Sequence, residues 1–312
     1  MNTQHEQWPK LSLDQWHDSY ETLHLWSQIV GKIRLSQSPW VNHSWHVPLN
    51  VTARGLTTSL IPYGIRAFQI DFDFVDHRLH ITASDGCRYS FELQPMSVAE
   101  FYRQIMDGLD ELDIELAIWP LPVEIPGAVQ RFSDNDKQGS YDPEAVARFW
   151  RALLQIHRVF TLFRARFIGK VSPIHFFWGA FDLAVTRFSG RSAPKHPGGV
   201  PNCADWVMEE AYSHEVSSAG FWPGAGLGEA AFYAYAYPAP DGFSEYSVRP
   251  DAAYYHKELG EFILPYEAVR NASEPDSLLL DFLQSTYEAA ADLAGWERDK
   301  LERKADPGMD KF

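Results

Sequence analysis

The sequence predicts an α+β protein in which a helix, a four-stranded antiparallel sheet and a second helix occur twice, as an internal duplication. The first observation is a repeated stretch, from Trp26 to Gly55 and again from Phe163 to Gly190. In both copies an apolar helical pattern leads to Gly-Lys, and a later strand contains Val-Thr. The second observation is that each copy includes or precedes runs of alternating apolar and polar residues, which are typical of half-buried strands. We therefore interpret residues 1–136 and 137–312 as two equivalent halves.

The first half begins with a helix. Apolar residues recur three or four positions apart from Leu13 to Val30, and Gly31 is a typical residue at a helix C-terminus, so we predict that the helix ends there. Alternation then predicts four strands, at residues 46–54, 68–74, 79–82 and 89–93. Ser97 and Glu100 form a capping box that opens the closing helix.

The second half repeats this order. Asp142 as N-cap and Pro143 at the first helical position begin its first helix. The remaining predicted elements are strands at 177–186, 232–237, 243–248 and 262–266 and a helix at 278–293. Residues 211–228 are rich in aromatic residues and glycine, so we interpret them as a loop that plugs the fold or covers a site.

Composition excludes several classes of partner. A net charge of -15 argues against a broad basic surface for nucleic acid or an anionic membrane. Cys87 and Cys203 lie far apart, so no disulfide framework and no zinc site are predicted. No signal peptide, membrane span or phosphate-cradling motif occurs, so we expect a cytoplasmic protein without a cofactor. The oligomeric state stays open.

A cleft between the two sheets is the predicted binding site for a small polar molecule. Aligning Ala67-Phe68 with Ala231-Phe232 gives equivalent sheet faces that carry carboxylates in one half and tyrosines in the other. Clefts between domains are favoured sites for small ligands. The predicted ligand-binding residues are Arg54, Asp71 and Asp73 from the first half, Asp182, Arg187 and Tyr235 from the second, and Trp222 on the covering loop. The alternative is a polar face that is simply solvent-exposed.

Two further functions stay open. A hydrolase or isomerase could use His214 with Glu215 or Asp71 as acid and base. An interaction module could use the helix face that carries Arg151 and Arg158, although such charged faces are usually only solvated.

Histidines and lysines give weaker signals. His43 and His46 are three residues apart and could join His175 or His214 around a metal, but they lack a helical context, and no metal is predicted. Lys32 and Lys170 follow matching glycines, where a lysine favours the helix dipole. Their repetition also makes them candidates for an anionic ligand.

Several motifs carry a family resemblance. They include Ile29-Val-Gly-Lys-Ile-Arg34, His175-Phe-Phe-Trp-Gly, Asp182-Leu-Ala-Val-Thr-Arg-Phe-Ser-Gly190, Tyr212-Ser-His-Glu215 and Gly220-Phe-Trp-Pro-Gly224. Through them the chain resembles, from about Trp8 to Arg303, a bacterial family known only as a domain of unknown function (number 5996). The resemblance implies a soluble bacterial protein. It implies no activity, so no catalytic residue follows from it.

Overall fold

Antiparallel sheets and α-helices make up the computed structural model, which describes residues 7–304. The α+β class predicted from the alternating pattern is confirmed. Within these residues each of the two sheets has six strands, not the predicted four, because each sheet contains strands that the alternating pattern does not predict. Within the described residues, no helix has both the length and the apolar character that crossing a membrane requires.

The first sheet is a meander of neighbouring strands. Its elements are α1 (Leu13–Gln37), β1 (Asn50–Val51), β2 (Gly55–Thr57), β3 (Ile61–Tyr63), β4 (Arg66–Asp73), β5 (Arg78–Ala83), β6 (Arg88–Glu92) and α2 (Val98–Glu111). The strand order is β1-β2-β4-β5-β6, and β3 pairs with β4 beyond the end of β2. Ser97 caps α2 as predicted, because its side chain accepts a hydrogen bond from the Glu100 N–H.

Within the described residues the second sheet also has six strands. Its elements are α3 (Pro143–Ala165), β7 (His175–Phe177), β8 (Asp182–Ser192), α4 (Asp205–Ala211), β9 (His214–Trp222), β10 (Ala231–Tyr237), β11 (Tyr254–His256), β12 (Glu261–Pro265), α5 (Tyr266–Arg270), α6 (Pro275–Leu293) and α7 (Arg298–Leu301). The strand order is β7-β8-β9-β10-β12-β11.

Two predicted elements of the second half are wrong. The segment 211–228, predicted as a covering loop, contains β9 in the middle of the sheet. Strand β9 is buried on both faces from Val216 to Phe221, so it lacks the alternation that marks a half-exposed strand. The predicted strand at 243–248 is instead a short 3₁₀ turn at Phe243–Glu245.

Helix α1 continues past the predicted stop at Gly31 and ends at Gln37. An added Cβ on Gly31 would lie 2.1 Å from Nε1 of Trp178, so this glycine allows close packing and does not end the helix. Lys32 therefore lies inside a helix, whereas Lys170 follows the end of α3 at Ala165. The two Gly-Lys motifs do not occupy equivalent places.

The register of the predicted duplication also differs from the structure. Counted from β1, strand β4 is third in its sheet, whereas β10 is fourth when counted from β7. By this count β4 corresponds to β9, not to β10 as the alignment of Ala67-Phe68 with Ala231-Phe232 assumes. The duplication itself stays a prediction.

The two sheets join edge to edge between β1 and β7. The Leu49 N–H donates to the Phe176 carbonyl at 2.8 Å, and the Phe176 N–H donates back to Leu49 at 2.9 Å. Helices α1, α2, α3 and α6 contribute to one hydrophobic core that contains buried residues of both sheets, such as Phe72 and Leu183. The division at residues 136/137 stays a prediction, but the halves share this core. The opposite face of the second sheet, which we call the outer face, carries the polar side chains.

Candidate functional site

The outer face brings together three of the predicted ligand-binding residues. Asp182 on β8 and Trp222 on β9 lie in the same row of residues across the sheet. Tyr235 lies on the same face of β10 as Tyr233. The Tyr233 hydroxyl donates a hydrogen bond to the Asp182 carboxyl group. The Tyr233 ring lies 5.6 Å from the Trp222 ring and 6.1 Å from the Tyr235 ring. Asp182, Trp222 and Tyr235 therefore belong to one continuous polar and aromatic surface.

Residues between β8 and β9 cover part of this surface. The hydroxyl groups of Tyr212 and Tyr235 share a hydrogen bond of 2.7 Å. The His196 ring stacks on Tyr212 with 4.7 Å between the ring centroids. The Tyr237 hydroxyl donates to the Pro194 carbonyl at 3.1 Å. The covering segment is thus fixed to the sheet by tyrosines.

Glu124 reaches the same surface from the connection between the two halves. Gln28 on α1 holds the preceding residue, since its Nε2 donates to the Val123 carbonyl at 2.9 Å and its Oε1 accepts from the Val123 N–H at 2.8 Å. The Glu124 N–H donates to the Pro201 carbonyl at 2.8 Å. A Cβ on Gly179 would lie 1.9 Å from Oε1 of Glu124. The Glu124 carboxyl group therefore lies directly on a backbone surface that only glycine leaves open.

Lys32 approaches from α1 as a buried cation. The residue is 3% exposed, and its ammonium group lies 5.8 Å from the centroid of the Trp178 ring. Burial lowers the pKa of Lys32 to about 8, and the nearby Cys203 and Glu124 groups partly oppose that shift. Among residues 7–304 the ammonium group has no hydrogen-bond acceptor and no ion-pair partner. A buried, unpaired lysine is costly to maintain, which is typical of a functional residue.

Three carboxyl groups share this environment. Burial raises the pKa of Glu124 to about 7, and the charge of Asp182 raises it further. The same two causes raise the pKa of Glu261, the first residue of β12, to about 7. Burial raises the pKa of Asp182 itself to about 6, although the hydrogen bond from Tyr233 lowers it. Near neutral pH these groups therefore lie close to their titration points, as acid and base catalysts often do.

We call the group formed by these side chains the recess, defined by Lys32, Glu124, Asp182, Tyr212, Tyr235 and Glu261. Glu124 is exposed and Tyr212, Tyr235 and Glu261 are half-buried, so the recess is open to solvent. Glu124 nevertheless has a strongly desolvated carboxyl group. The Glu124 side chain thus meets solvent while protein atoms surround its carboxyl group.

Three residues around the recess have a left-handed backbone conformation. Glu124 has φ 60°, Phe181 before Asp182 has φ 60°, and Asn202 has φ 55°. Non-glycine residues in this left-handed region cost on the order of 1–3 kcal/mol each and cluster at functional sites. Asn202 is held there because its Nδ2 donates to the carbonyls of Pro122 and Ala128 at 2.9 and 3.0 Å. Three separate segments thus adopt costly conformations where they meet.

The structure does not bring Arg54, Asp71 and Asp73 to the recess. Arg54 pairs with Asp73 and with Asp76 at 2.6 Å each, which satisfies these charges locally. Along the joined sheets, the path from Asp71 to Tyr235 runs β4-β2-β1-β7-β8-β9-β10. Six steps of about 4.8 Å separate them by roughly 29 Å along the sheet, which is too far for one small ligand to span. The predicted cleft between acidic and tyrosine faces is not formed.

Arg187 lies on the opposite face from the recess. It pairs with Ser217, which faces the helices, and it is fully buried. Its guanidinium carbon lies 3.5 Å from the centroid of the Phe163 ring and 4.4 Å from that of the Tyr287 ring. Burial lowers the pKa of Arg187 to about 9. Arg187 is therefore part of the core and not available to a ligand on the outer face.

The predicted acid and base pair of His214 and Glu215 is not assembled. As neighbours on β9 they point to opposite faces of the sheet, so they cannot act on one substrate group. Glu215 pairs with Arg191 at 2.6 Å. The His214 ring lies 6.0 Å from the His43 ring, and its Nδ1 is 3.0 Å from the Ser213 hydroxyl.

Residues that could hold a metal ion are grouped in one place within the described part of the chain. His17, Asp18 and Glu21 lie together on the exposed surface of α1. Exposed acidic groups of this kind are common without a metal. His43, one of the histidines considered above as possible ligands, contacts the Ala211 carbonyl through Nδ1 at 2.9 Å and Lys170 Nζ through Nε2 at 2.6 Å.

One family matches the chain. The model of the Family of unknown function (DUF5996) matches residues 8–303, which is nearly the whole chain and agrees with the resemblance seen in the sequence motifs. No curated protein and no solved structure matches.

Proposed function

The chain belongs to this family of unknown function, and we propose that it binds a small polar molecule in the recess. The observation that carries the proposal is the pairing state of Lys32 and Glu124. Each of the two groups lies close enough to shift the pKa of the other, and neither has a hydrogen-bond or ion-pair partner among residues 7–304. Unpaired charges in a desolvated place are expensive, and a bound ligand would offset that cost.

The lining selects for ligand chemistry. The carboxyl groups of Glu124, Asp182 and Glu261 accept hydrogen bonds and favour a ligand with hydroxyl or amino donors. Lys32 offers one donor to an acceptor on the ligand. The rings of Tyr212 and Tyr235 supply flat apolar surfaces with polar tips beside them. The ligand class that fits is a compact polyhydroxy or amino compound with at least one acceptor.

Acid and base catalysis is the second candidate function. The pKa values of about 7 for Glu124 and Glu261 and about 8 for Lys32 lie near neutral pH, where a group can both give and take protons. This supports a hydrolase or isomerase whose acid and base are these residues in place of His214, Glu215 and Asp71. The two functions share one site and differ in whether the ligand is changed.

The cytoplasmic location belongs to the same proposal. Cys87 and Cys203 are both free, which supports a reducing compartment. The interaction module receives less support, because Arg158 is engaged in an ion pair with Asp276 of α6 at 2.5 Å.

A thermal-shift screen of polyhydroxy and amino metabolites tests the binding proposal. Compounds that raise the melting temperature of the wild type are tested again with Lys32→Met and Glu124→Gln. Asp71→Asn on the first sheet is the matched control, since it also removes one carboxylate. We expect the shift to vanish in both recess variants and to persist in the control. Equal shifts in all variants, or no shift from the screen, would count against the recess as a binding site.

The enzyme candidate is tested with the same hits. Each binding compound is incubated with the wild type, and the mixture is analysed by NMR for new products over time. Turnover that is lost in Glu124→Gln but retained in Asp71→Asn supports acid and base catalysis. Binding without turnover leaves the protein as a binding protein.

A further inference from the structure

A second group of polar side chains lies beyond the recess, near the joined edges of the two sheets. Four of its atoms are buried and have no hydrogen-bond partner among residues 7–304: Nε of Arg34, Oγ of Ser44, Nε2 of His46 and Nδ1 of His175. Buried polar groups in proteins are nearly always paired, so an accumulation of unpaired ones requires an explanation. Arg34 comes from α1, Ser44 and His46 from the segment before β1, and His175 from β7.

Arg34 connects these residues. Its Nη1 donates to the Pro48 carbonyl, which fixes the guanidinium group beside the segment that contains His46. Burial lowers the pKa of His46 and of His175, the latter to about 4, and the charge of Arg34 lowers both. Arg34 therefore lies within electrostatic range of both rings. The Trp45 ring, next to His46 in the chain, lies 6.3 Å from the His175 ring.

The unpaired atoms include hydrogen-bond donors. The Val41 N–H donates to Nδ1 of His46 at 3.2 Å, so in the neutral ring Nε2 must carry the proton. Nε of Arg34 is a donor at every accessible pH. Neither donor has an acceptor in the described part of the chain. Nε2 of His46 and Nε of Arg34 thus present protons without a matching oxygen.

The surrounding charges are mostly positive. Arg164 also lowers the pKa of His175, and within residues 7–304 neither Arg34 nor Arg164 forms an ion pair. Glu210 is the acidic group that acts on His46, and its carboxylate already accepts a hydrogen bond from Nε1 of Trp40 at 2.6 Å. Buried donors beside uncompensated cations are complementary to an anion.

We propose that Arg34, His46 and His175 form a binding site for a small oxyanion, either a free ion or the oxyanion group of a larger ligand. His175 pairs with Ala184 on β8, two residues from Asp182, so His175 lies on the same face of the sheet as Asp182. The site does not depend on the recess, because it uses different residues and opposite charge.

Sulfate is the first probe, because its charge stays constant over the working pH range. Wild-type protein is titrated with sodium sulfate, at an ionic strength kept constant with sodium chloride, while the ring C–H signals of the histidines are followed by NMR. We expect saturable shifts for His46 and His175 and none for His80 on the first sheet. Binding also raises the pKa of His175, because an anion favours the imidazolium form, and it tightens as the pH falls from 8 to 5.5.

Variants separate a built site from non-specific attraction. His175→Gln is expected to weaken sulfate binding roughly tenfold or more, the loss of one charge-assisted hydrogen bond, whereas the control His80→Gln retains wild-type affinity. A phosphomonoester that binds more tightly than sulfate or inorganic phosphate identifies the oxyanion as part of a larger ligand. Absence of saturation in the wild type, or equal weakening in the control, overturns the proposal. The wild-type NMR result decides even if His175→Gln does not fold.

Discussion

Gly179→Ala is the most direct test of how the recess is built. The new Cβ would lie 1.9 Å from Oε1 and 2.6 Å from Cδ of Glu124, whereas ordinary contact begins at 3.4 Å. The carboxyl group must therefore retreat from its place over the backbone. Because it is the far end of a flexible side chain, we expect an overpacking cost near the lower end of the usual range, about 1 kcal/mol.

The larger effect should fall on the chemistry of Glu124. Its pKa of about 7 arises chiefly from desolvation, and a displaced carboxyl group gains solvent. We expect the pKa of Glu124 in the Gly179→Ala variant to fall toward the ordinary value of 4.5. Carboxyl-carbon NMR over a pH series measures this directly and requires no ligand.

A double-mutant cycle isolates the contact. Gly179→Ala is compared in the wild-type background and in Glu124→Ala, with urea unfolding as the measure of stability. The cost of the added methyl group should largely disappear when Glu124 is absent. A cost that is equal in both backgrounds, or an unchanged Glu124 pKa, would refute the idea that Gly179 positions this carboxyl group.

Three other predictions concern the supporting structure. Gly31→Ala should lower the unfolding free energy in urea by about 2 kcal/mol, although alanine favours helices, because its Cβ would lie 2.1 Å from Nε1 of Trp178; a gain in stability would contradict this. Burial lowers the pKa of His24 to about 4, so its stabilising contribution is present above pH 6.5 and is lost as the pH falls toward 4. Between pH 7 and pH 5 the unfolding free energy of His24→Gln should therefore fall by about 2 kcal/mol less than that of the wild type. An equal fall in both proteins, measured by urea unfolding, would argue against this. Arg187→Met should match or exceed wild-type stability, since it replaces a buried cation whose Nε and Nη1 have no partner among residues 7–304. A large fall in the melting temperature would instead show that the charge stabilises the fold.

The elements that could be predicted from sequence are those with one wet face. Strands β4 and β5 alternate between buried and half-buried positions, so their pattern is visible without a structure. Strand β9 is buried on both sides, and its centre, Ser217-Ser218-Ala219-Gly220, consists of small residues with little strand preference. Its place in the sheet is set by β8 and β10, which a local pattern does not contain.

The site was predictable only in part, for a similar reason. Asp182, Trp222 and Tyr235 were found because strand alternation or an aromatic-rich segment drew attention to them. Lys32 was noticed as part of a repeated motif, but as a helix end, because a glycine before it usually stops a helix.

Glu124 and Glu261 gave no distinct signal. Glu124 is a single acid in a proline-rich connection, and the residue that fixes its neighbour, Gln28, is 95 positions away from Val123 in sequence. Glu261 begins a short strand, and its pKa depends on Asp182 in a different part of the chain. The raised pKa values are products of tertiary structure, so they could not be read from spacing.

The reciprocal hydrogen bonds of Leu49 and Phe176 have a consequence for the integrity of the chain. A strand edge with free backbone groups readily recruits another polypeptide, and here each sheet caps such an edge on the other. Proteolytic cleavage between the halves, within the irregular residues 127–141, should therefore release nothing: the two fragments should co-elute as a nicked particle. Expressed singly, either fragment should be prone to self-association through its uncovered first strand.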